Sequence, residues 1–377
     1  MNTSKLDRFL DEMPQRGLPG CDLSVSRNGQ EIYRRAVGFS DADMKRPVDR
    51  NTLYWIFSAS KVITCTAAMR LVEEGRLNLG DKVSDYLPSF AHLQVKQKDG
   101  TLVPAAEPMR ILHLFTMTGG MDYDLNAPAI TEAAAKPGAD TVSICSAMAN
   151  IPLRFEPGTH YRYSLCHDVL AAVVEVITGM KFSAYLQELI FNPLGMKNTG
   201  FHPTAEQLPR FAQSFDYNNA DGSIRQIPTA NVFCFTPDYD SGGAGLFTTV
   251  DDYMQVVTAL ACGGTAPDGY RLLKPETVAE MEVNRLCPAA WKDFVVGRLY
   301  GYGWGLCGRV HVNPVRSLSR SSVGEFGWDG AQAAFSMVDR KTRTALYFGT
   351  QVANCGYAYN VLHPTLRNLV FEMLDGE

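Results

Sequence analysis

Ser58 is followed three residues later by Lys61, and no other Ser-x-x-Lys occurs in the 377 residues. The tetrapeptide closes the apolar run Tyr54-Trp55-Ile56-Phe57 and opens a helical pattern from Val62 to Leu71. On a helix, residues three apart share one face about a turn apart, so hydroxyl and amine can meet. A serine hydroxyl attacks only when a base takes its proton, and a lysine can serve where burial or neighbours keep its amine neutral. A helix start adds unpaired backbone N–H groups and a positive dipole end where negative charge develops. The spacing therefore predicts Ser58 as an acylated nucleophile and Lys61 as its base. Average composition alone yields roughly one such tetrapeptide in a chain of this length, and a serine there also reads as a helix cap beside a solvated lysine. The rest of the chain has to decide.

Acyl transfer needs a second proton carrier, donors for the oxyanion and a shaped cleft. Tyr163-Ser164 follows Pro157-Gly158 in a loop and precedes a helical pattern, which suits a side chain projecting into a cleft. The alternative for one tyrosine among sixteen is a core anchor. Gly327-Trp328-Asp329-Gly330-Ala331 precedes a predicted strand, where glycine lets a substrate approach the backbone. The N–H groups of Ser58 and Ala331 are then the expected oxyanion donors, with Trp328 and Gly330 against the substrate. An ordinary turn with a buried tryptophan fits the same residues.

The elements that must position these groups follow from periodicity. Leu6, Phe9, Leu10 and Met13 predict a short amphipathic helix. Asn28-Gly29 between alternating segments 21–26 and 31–37 predicts a β-hairpin. Helices are expected from Ser58 to about Glu74, over 110–121 up to two glycines, over 141–148, from Asp168 to Gly179 and over 183–191. Thr249 caps a helix over 253–260, Pro275 opens another, and a last one covers 364–374. Three extended segments, 301–310, 334–338 and 344–351, lie near the C-terminus, the last two pairing as a hairpin. Strands at both ends with helices between predict an α+β fold whose sheet is built from both chain ends.

Composition bounds the rest. A hydrophobic fraction of 46% and a charged fraction of 20% are those of a soluble globular chain. The net charge of −5 carries no basic signature for nucleic acid. No run has the length of a membrane span, and the start, Met1 to Leu10, lacks the apolar core of a signal peptide, so a cytoplasmic protein without membrane insertion is expected. Nine scattered cysteines without Cys-x-x-Cys pairs argue against a secreted disulfide framework, and seven separated histidines against a metal site; no cofactor is expected.

Ser58-x-x-Lys61, Tyr163-Ser164 about a hundred residues later and Trp328-x-Gly330 near the C-terminus stand in the order and spacing of the serine β-lactamase and penicillin-binding-protein superfamily. The chain resembles its class C-like branch, closest in motifs to family VIII carboxylesterases and lovastatin-type acyltransferases. Pro157-Gly158-Thr159, Pro193-Leu194-Gly195-Met196, Gly243-Ala244-Gly245 and Tyr302-Gly303-Trp304-Gly305 extend the likeness over nearly the whole chain. The resemblance implies a β-lactamase/DD-peptidase-like fold, an antiparallel sheet flanked by helices in residues 1–75 and 235–377, with a mostly helical subdomain, 76–234, inserted. It also implies Ser58 as nucleophile, Lys61 and Tyr163 sharing proton transfer, and the Trp328 segment on the cleft edge.

Two departures sharpen the expectation. The third motif starts with Trp328 where β-lactamases and peptidases carry Lys or His, and Leu165 replaces their usual Asn. Losing a cation and an amide disfavours carboxylate-bearing substrates, and Asp329, if it points inward, disfavours them further. A small-molecule ester or acyl compound is the expected substrate, with transacylation or weak β-lactamase activity beside it. The rivals are a penicillin-binding-protein-like D-amino-acid peptidase and a non-catalytic ligand-binding relative; the oligomeric state is open.

Overall fold

The structure is a computed structural model that describes residues 1–295 and 299–376, so 296–298 and 377 of the expected second half of the sheet subdomain lie outside the described residues. Asn28 and Gly29 both take positive φ, 52° and 83°, which is what a two-residue turn between twisted strands demands. They join β1 (Gly20–Arg27) to β2 (Gln30–Gly38). The C-terminal half supplies β3 (Tyr302–Trp304), β4 (Arg309–His311), β5 (Phe326–Gly327), β6 (Phe335–Asp339) and β7 (Thr344–Thr350). All seven form one antiparallel sheet in the order β2-β1-β7-β6-β5-β4-β3, so the two chain ends meet where β1 pairs with β7 from Cys21↔Thr350 to Arg27↔Thr344.

Alternation along the strands creates two apolar faces. Leu23, Val25, Leu346 and Phe348 pack with Leu6 and Leu10 of α1 (Ser4–Asp11) and with Leu366 and Val370 of the C-terminal helix His363–Asp375. The opposite face receives the helix Val250–Ala261, whose Tyr253 stacks on Tyr347 at 4.0 Å and donates through its hydroxyl to Ala59 O at the start of α2 (Ser60–Glu73). The result is a sheet between two helical layers. Helix α3 (Cys166–Thr178) packs on α2, Ile111–Phe115 and Thr141–Ala147 pack on α3, and Pro128–Ala134 packs on Thr141–Ala147. Among the described residues no single helix is long and apolar enough to cross a membrane.

Local differences from the sequence reading have identifiable causes. The 110–121 pattern forms a helix only over Ile111–Phe115, because Met117 enters the left-handed region at φ 56° and the chain reverses through Gly120 at φ 79°. The extended segment 301–310 is itself two strands, β3 and β4, reversing where Gly305 N–H donates to Gly308 O. The 183–191 helix is Phe182–Leu186 followed by a wider turn, Gln187–Phe191. Pro128–Ala134 and Pro288–Phe294, each opened by proline, were not foreseen. The division into 1–75 with 235–377 and an inserted 76–234 stands as a proposal; Ser214–Tyr217, inside the insert, pairs with Ile224–Ile227 and, in parallel, with Val352–Ala353.

Candidate active site

Ser58 lies on a single 3₁₀ turn, Phe57–Ala59, that runs directly into α2. Phe57, a bulky residue, is held at φ 45°, a conformation that costs free energy and persists only where surroundings impose it. The surroundings are specific. Ile56 N–H donates to Leu246 O, Tyr253 OH to Ala59 O at 2.8 Å, and Ser60 Oγ accepts from Leu246 N–H. The turn is thereby fixed between α2, the 241–247 segment and the helix beginning at Val250.

Lys61 is fully buried, and its Nζ donates to Ser58 Oγ at 3.3 Å and to Gly243 O at 2.6 Å. Aromatic faces enclose it: the Nζ lies 4.7 Å from the centroid of the Tyr163 ring and 5.8 Å from that of Tyr123. Tyr123 and Tyr163 stack at 5.4 Å, and Tyr163 stacks in turn on Trp328 at 5.6 Å. Trp328 Nε1 donates to the Tyr163 hydroxyl at 3.0 Å. Because that oxygen accepts from the indole, its own proton remains to be given to a group in the cleft. Behind Trp328 stands Trp304, edge-on at 4.6 Å and tied through its Nε1 to Phe115 O.

The Trp328–Ala331 segment leaves β5 and passes beside the serine turn. A Cβ built on Gly330 would stand 2.4 Å from Ile56 O, so here the glycine admits the neighbouring backbone. The substrate-binding role expected of Gly330 stands as a proposal beside this contact. Its N–H donates to Ala334 O and its carbonyl accepts from Tyr359 OH. Ala331 is exposed, and neither its N–H nor that of Ser58 donates to another group among the described residues. Two backbone donors on adjoining segments suit a developing oxyanion.

Asp329 does not point into the cleft. Its carboxylate lies in the interior, 3.1 Å from Arg309, which also pairs with Glu325 at 3.1 Å and donates to Ser336 O. The condition under which Asp329 would oppose an anionic substrate is not met: it is a buried counter-ion holding the cleft-edge segment to β4. Leu165 is buried at the start of α3, and Ser164, also buried, turns its hydroxyl toward Cys166 Sγ.

Sequence reasoning missed Tyr123, whose hydroxyl interacts with Ser58 and is held well above the usual phenol range by burial and by the neighbouring Tyr163. It comes from the irregular segment after the chain reversal at Gly120, to which the sequence assigned no element. Asp168 was also missed as a site residue. Both lack a motif of their own and reach the site through packing. Among the described residues no cluster of three His, Cys, Asp or Glu is placed to hold a metal ion.

The beta-lactamase family model matches residues 6–356 of the chain. Esterase EstB of Burkholderia gladioli is 30% identical over 98% of this chain and 95% of its own. Among solved structures, EstCE1, described as a hydrolase with promiscuous acyltransferase activity, superposes with a TM-score of 0.81 at 25% identity, covering 98% of each chain. The simvastatin synthase LovD of Aspergillus terreus superposes with a TM-score of 0.85 over the full length of both chains at 22% identity, a likeness of fold.

Proposed function

Because the chain belongs to the beta-lactamase family and is a serine hydrolase, we propose that it cleaves small neutral esters through an acyl-enzyme on Ser58. The observation that carries the reading is the Ser58–Lys61 contact at 3.3 Å, sealed beneath Tyr163 and Trp328. The Lys61 amine takes the Ser58 proton as Oγ attacks the ester carbonyl carbon. Negative charge moving onto the carbonyl oxygen meets the N–H groups of Ser58 and Ala331. As the intermediate collapses, the carbon–oxygen bond to the alcohol breaks, and that oxygen takes a proton from Tyr163, which Lys61 replenishes. Water then attacks the acyl carbon, its proton passing back through Tyr163 and Lys61, and Ser58 regains its hydrogen as the acid leaves. An alcohol in place of that water gives a new ester, in line with the acyltransferase activity described for EstCE1.

Substrate preference follows from what lines the cleft. Trp328 stands where a cation would hold a carboxylate, while Asp329 is turned away from the cleft onto buried Arg309. A tryptophan in place of that cation gives an apolar wall, which favours uncharged acyl and alcohol parts. The test is turnover of p-nitrophenyl butyrate and of a chromogenic cephalosporin by the protein and by Ser58→Ala. Ester turnover that vanishes in the variant, with the cephalosporin far slower, is expected. No turnover of either, with no adduct on Ser58 from an aryl phosphonate, would sink the reading.

A further inference from the structure

Asp168 occupies the first turn of α3, five residues beyond Tyr163, and is 1% exposed. A carboxylate this deep persists only with partners. One oxygen, Oδ1, accepts from Ser241 Oγ at 2.5 Å and from Tyr239 OH at 3.0 Å. The other, Oδ2, lies against the Gly243 backbone. A Cβ built on Gly243 would stand 2.3 Å from Asp168 Oδ2 and 3.4 Å from Lys61 Nζ. Carboxylate and amine therefore flank the same glycine, whose carbonyl accepts from Lys61. The turn they share is also clamped from outside: Gly242 O accepts from Thr64 of α2, and a Cβ at Gly242 would strike His167 O of α3.

The other ionisable groups nearby contribute no charge near neutrality. Burial holds Tyr123, Tyr239 and Cys145 far above their ordinary values and raises Cys166 to about 11. Cys65, which also faces Lys61, is raised in the same way, and His167 is pushed down to about 3, chiefly by burial. Burial raises the Asp168 carboxyl too, but Ser241, Lys61, Tyr239 and the Gly243 backbone all act against that rise.

Resting on the reading of Lys61 as the base of Ser58, we propose that Asp168 is a positioning residue for that base. Its carboxylate anchors the Tyr239–Gly243 turn that receives the amine, and it is the counter-charge against which Lys61 takes up the serine proton. The logic is that of the carboxylate behind the histidine in a Ser-His-Asp triad, applied through a glycine turn to a lysine.

The readout is the pH profile of kcat/KM for p-nitrophenyl butyrate, whose shape does not depend on how much of a preparation is folded. Asp168→Asn and Asp168→Ala are compared with the unaltered protein, each normalised by phosphonate titration of Ser58. Both variants are expected to lose at least about tenfold at the plateau and to move the acidic limb down by about one pH unit or more, since an anion this close to an amine favours its protonated form. Tyr239→Phe, which keeps the carboxylate, should leave the limb within about half that displacement. If Asp168→Asn and Asp168→Ala titrate fully with phosphonate and keep the unaltered limb, the proposal is overturned while Ser58 catalysis stands. Full ester turnover by Ser58→Ala or Lys61→Ala would overturn both.

Discussion

The indole N–H of Trp328 ends on the Tyr163 hydroxyl, and this one hydrogen bond separates the two aromatic side chains by role. If Tyr163 carries protons, Tyr163→Phe removes a general acid–base step, a loss of at least about 100-fold in kcat. Trp328→Phe keeps the ring and removes only the donor; losing about 1 kcal/mol of hydrogen bonding predicts a fall of about fivefold in kcat with KM nearly unchanged. In the Tyr163→Phe background the tryptophan change should then do almost nothing, because the acceptor has gone. Equal effects of Trp328→Phe in both backgrounds, measured by steady-state kinetics, would assign the indole to packing alone. Ser58, Lys61, Tyr163 and Trp328 were legible in the sequence because their chemistry and order constrain residue type. Tyr123 and Asp168 were not, because one depends on a chain reversal at Gly120 and the other on a glycine turn some seventy residues away. Asp329 was legible as a charge but not as a direction.

Elements were legible where a local rule decided them. The Asn28-Gly29 hairpin, the α3 stop at Gly179 with φ 70° and the Thr249 cap accepting from Asp252 N–H all rest on contacts within a few residues. The short strands β3, β4 and β5 were harder, because three residues carry little pattern and only their neighbours in the sheet make them strands. That edge is held from within. Arg309 on β4 bridges Glu325 and Asp329 across β5, with its guanidinium 4.7 Å from the Phe335 ring centroid. Asp329→Asn leaves Arg309 with one carboxylate fewer in the interior, and breaking such a pair predicts a loss of about 3 kcal/mol in urea unfolding. The ratio of kcat/KM for a neutral ester to that for a carboxylate-bearing analogue should not move, since Asp329 does not face the cleft. A shift in that ratio without loss of stability would return Asp329 to the substrate side.

For the molecule as a whole, buried ionisable groups of opposite kind set how stability responds to acid. Burial, reinforced by Lys61, lowers His167 to about 3, and burial with Arg110 lowers His113 to about 4. An unfolded chain protonates both near pH 6.5 while the folded one does not, so these two weaken the fold as pH drops below that value. Four carboxyls act in the other direction, all raised by burial: Asp22, Asp168, Glu175 and Asp252. Burial raises Asp22 and Glu175 to about 7, against Arg34 in the first case and the Phe182 N–H in the second. The folded chain keeps their protons up to that pH, whereas the unfolded one releases them near 4, so they weaken the fold as pH rises from about 4 to 7. Two histidines against four carboxyls leave a net loss of stability as pH rises from 4.5 to 6.5. Below pH 4 the carboxyl contribution has ended, His167 is still being titrated, and Asp122 adds to the loss: burial opposes it, but Arg162, the Tyr123 N–H and Arg154 bring it to about 2. The melting temperature should therefore decline as pH rises from 4.5 to 6.5 and also fall steeply below 4. Glu175→Gln removes one of the opposing carboxyls, so in that variant the decline across the same interval should flatten, the slope changing by up to about one proton. An unchanged decline in the variant, or a steady climb in the unaltered protein, would show that the buried carboxyls do not set this response.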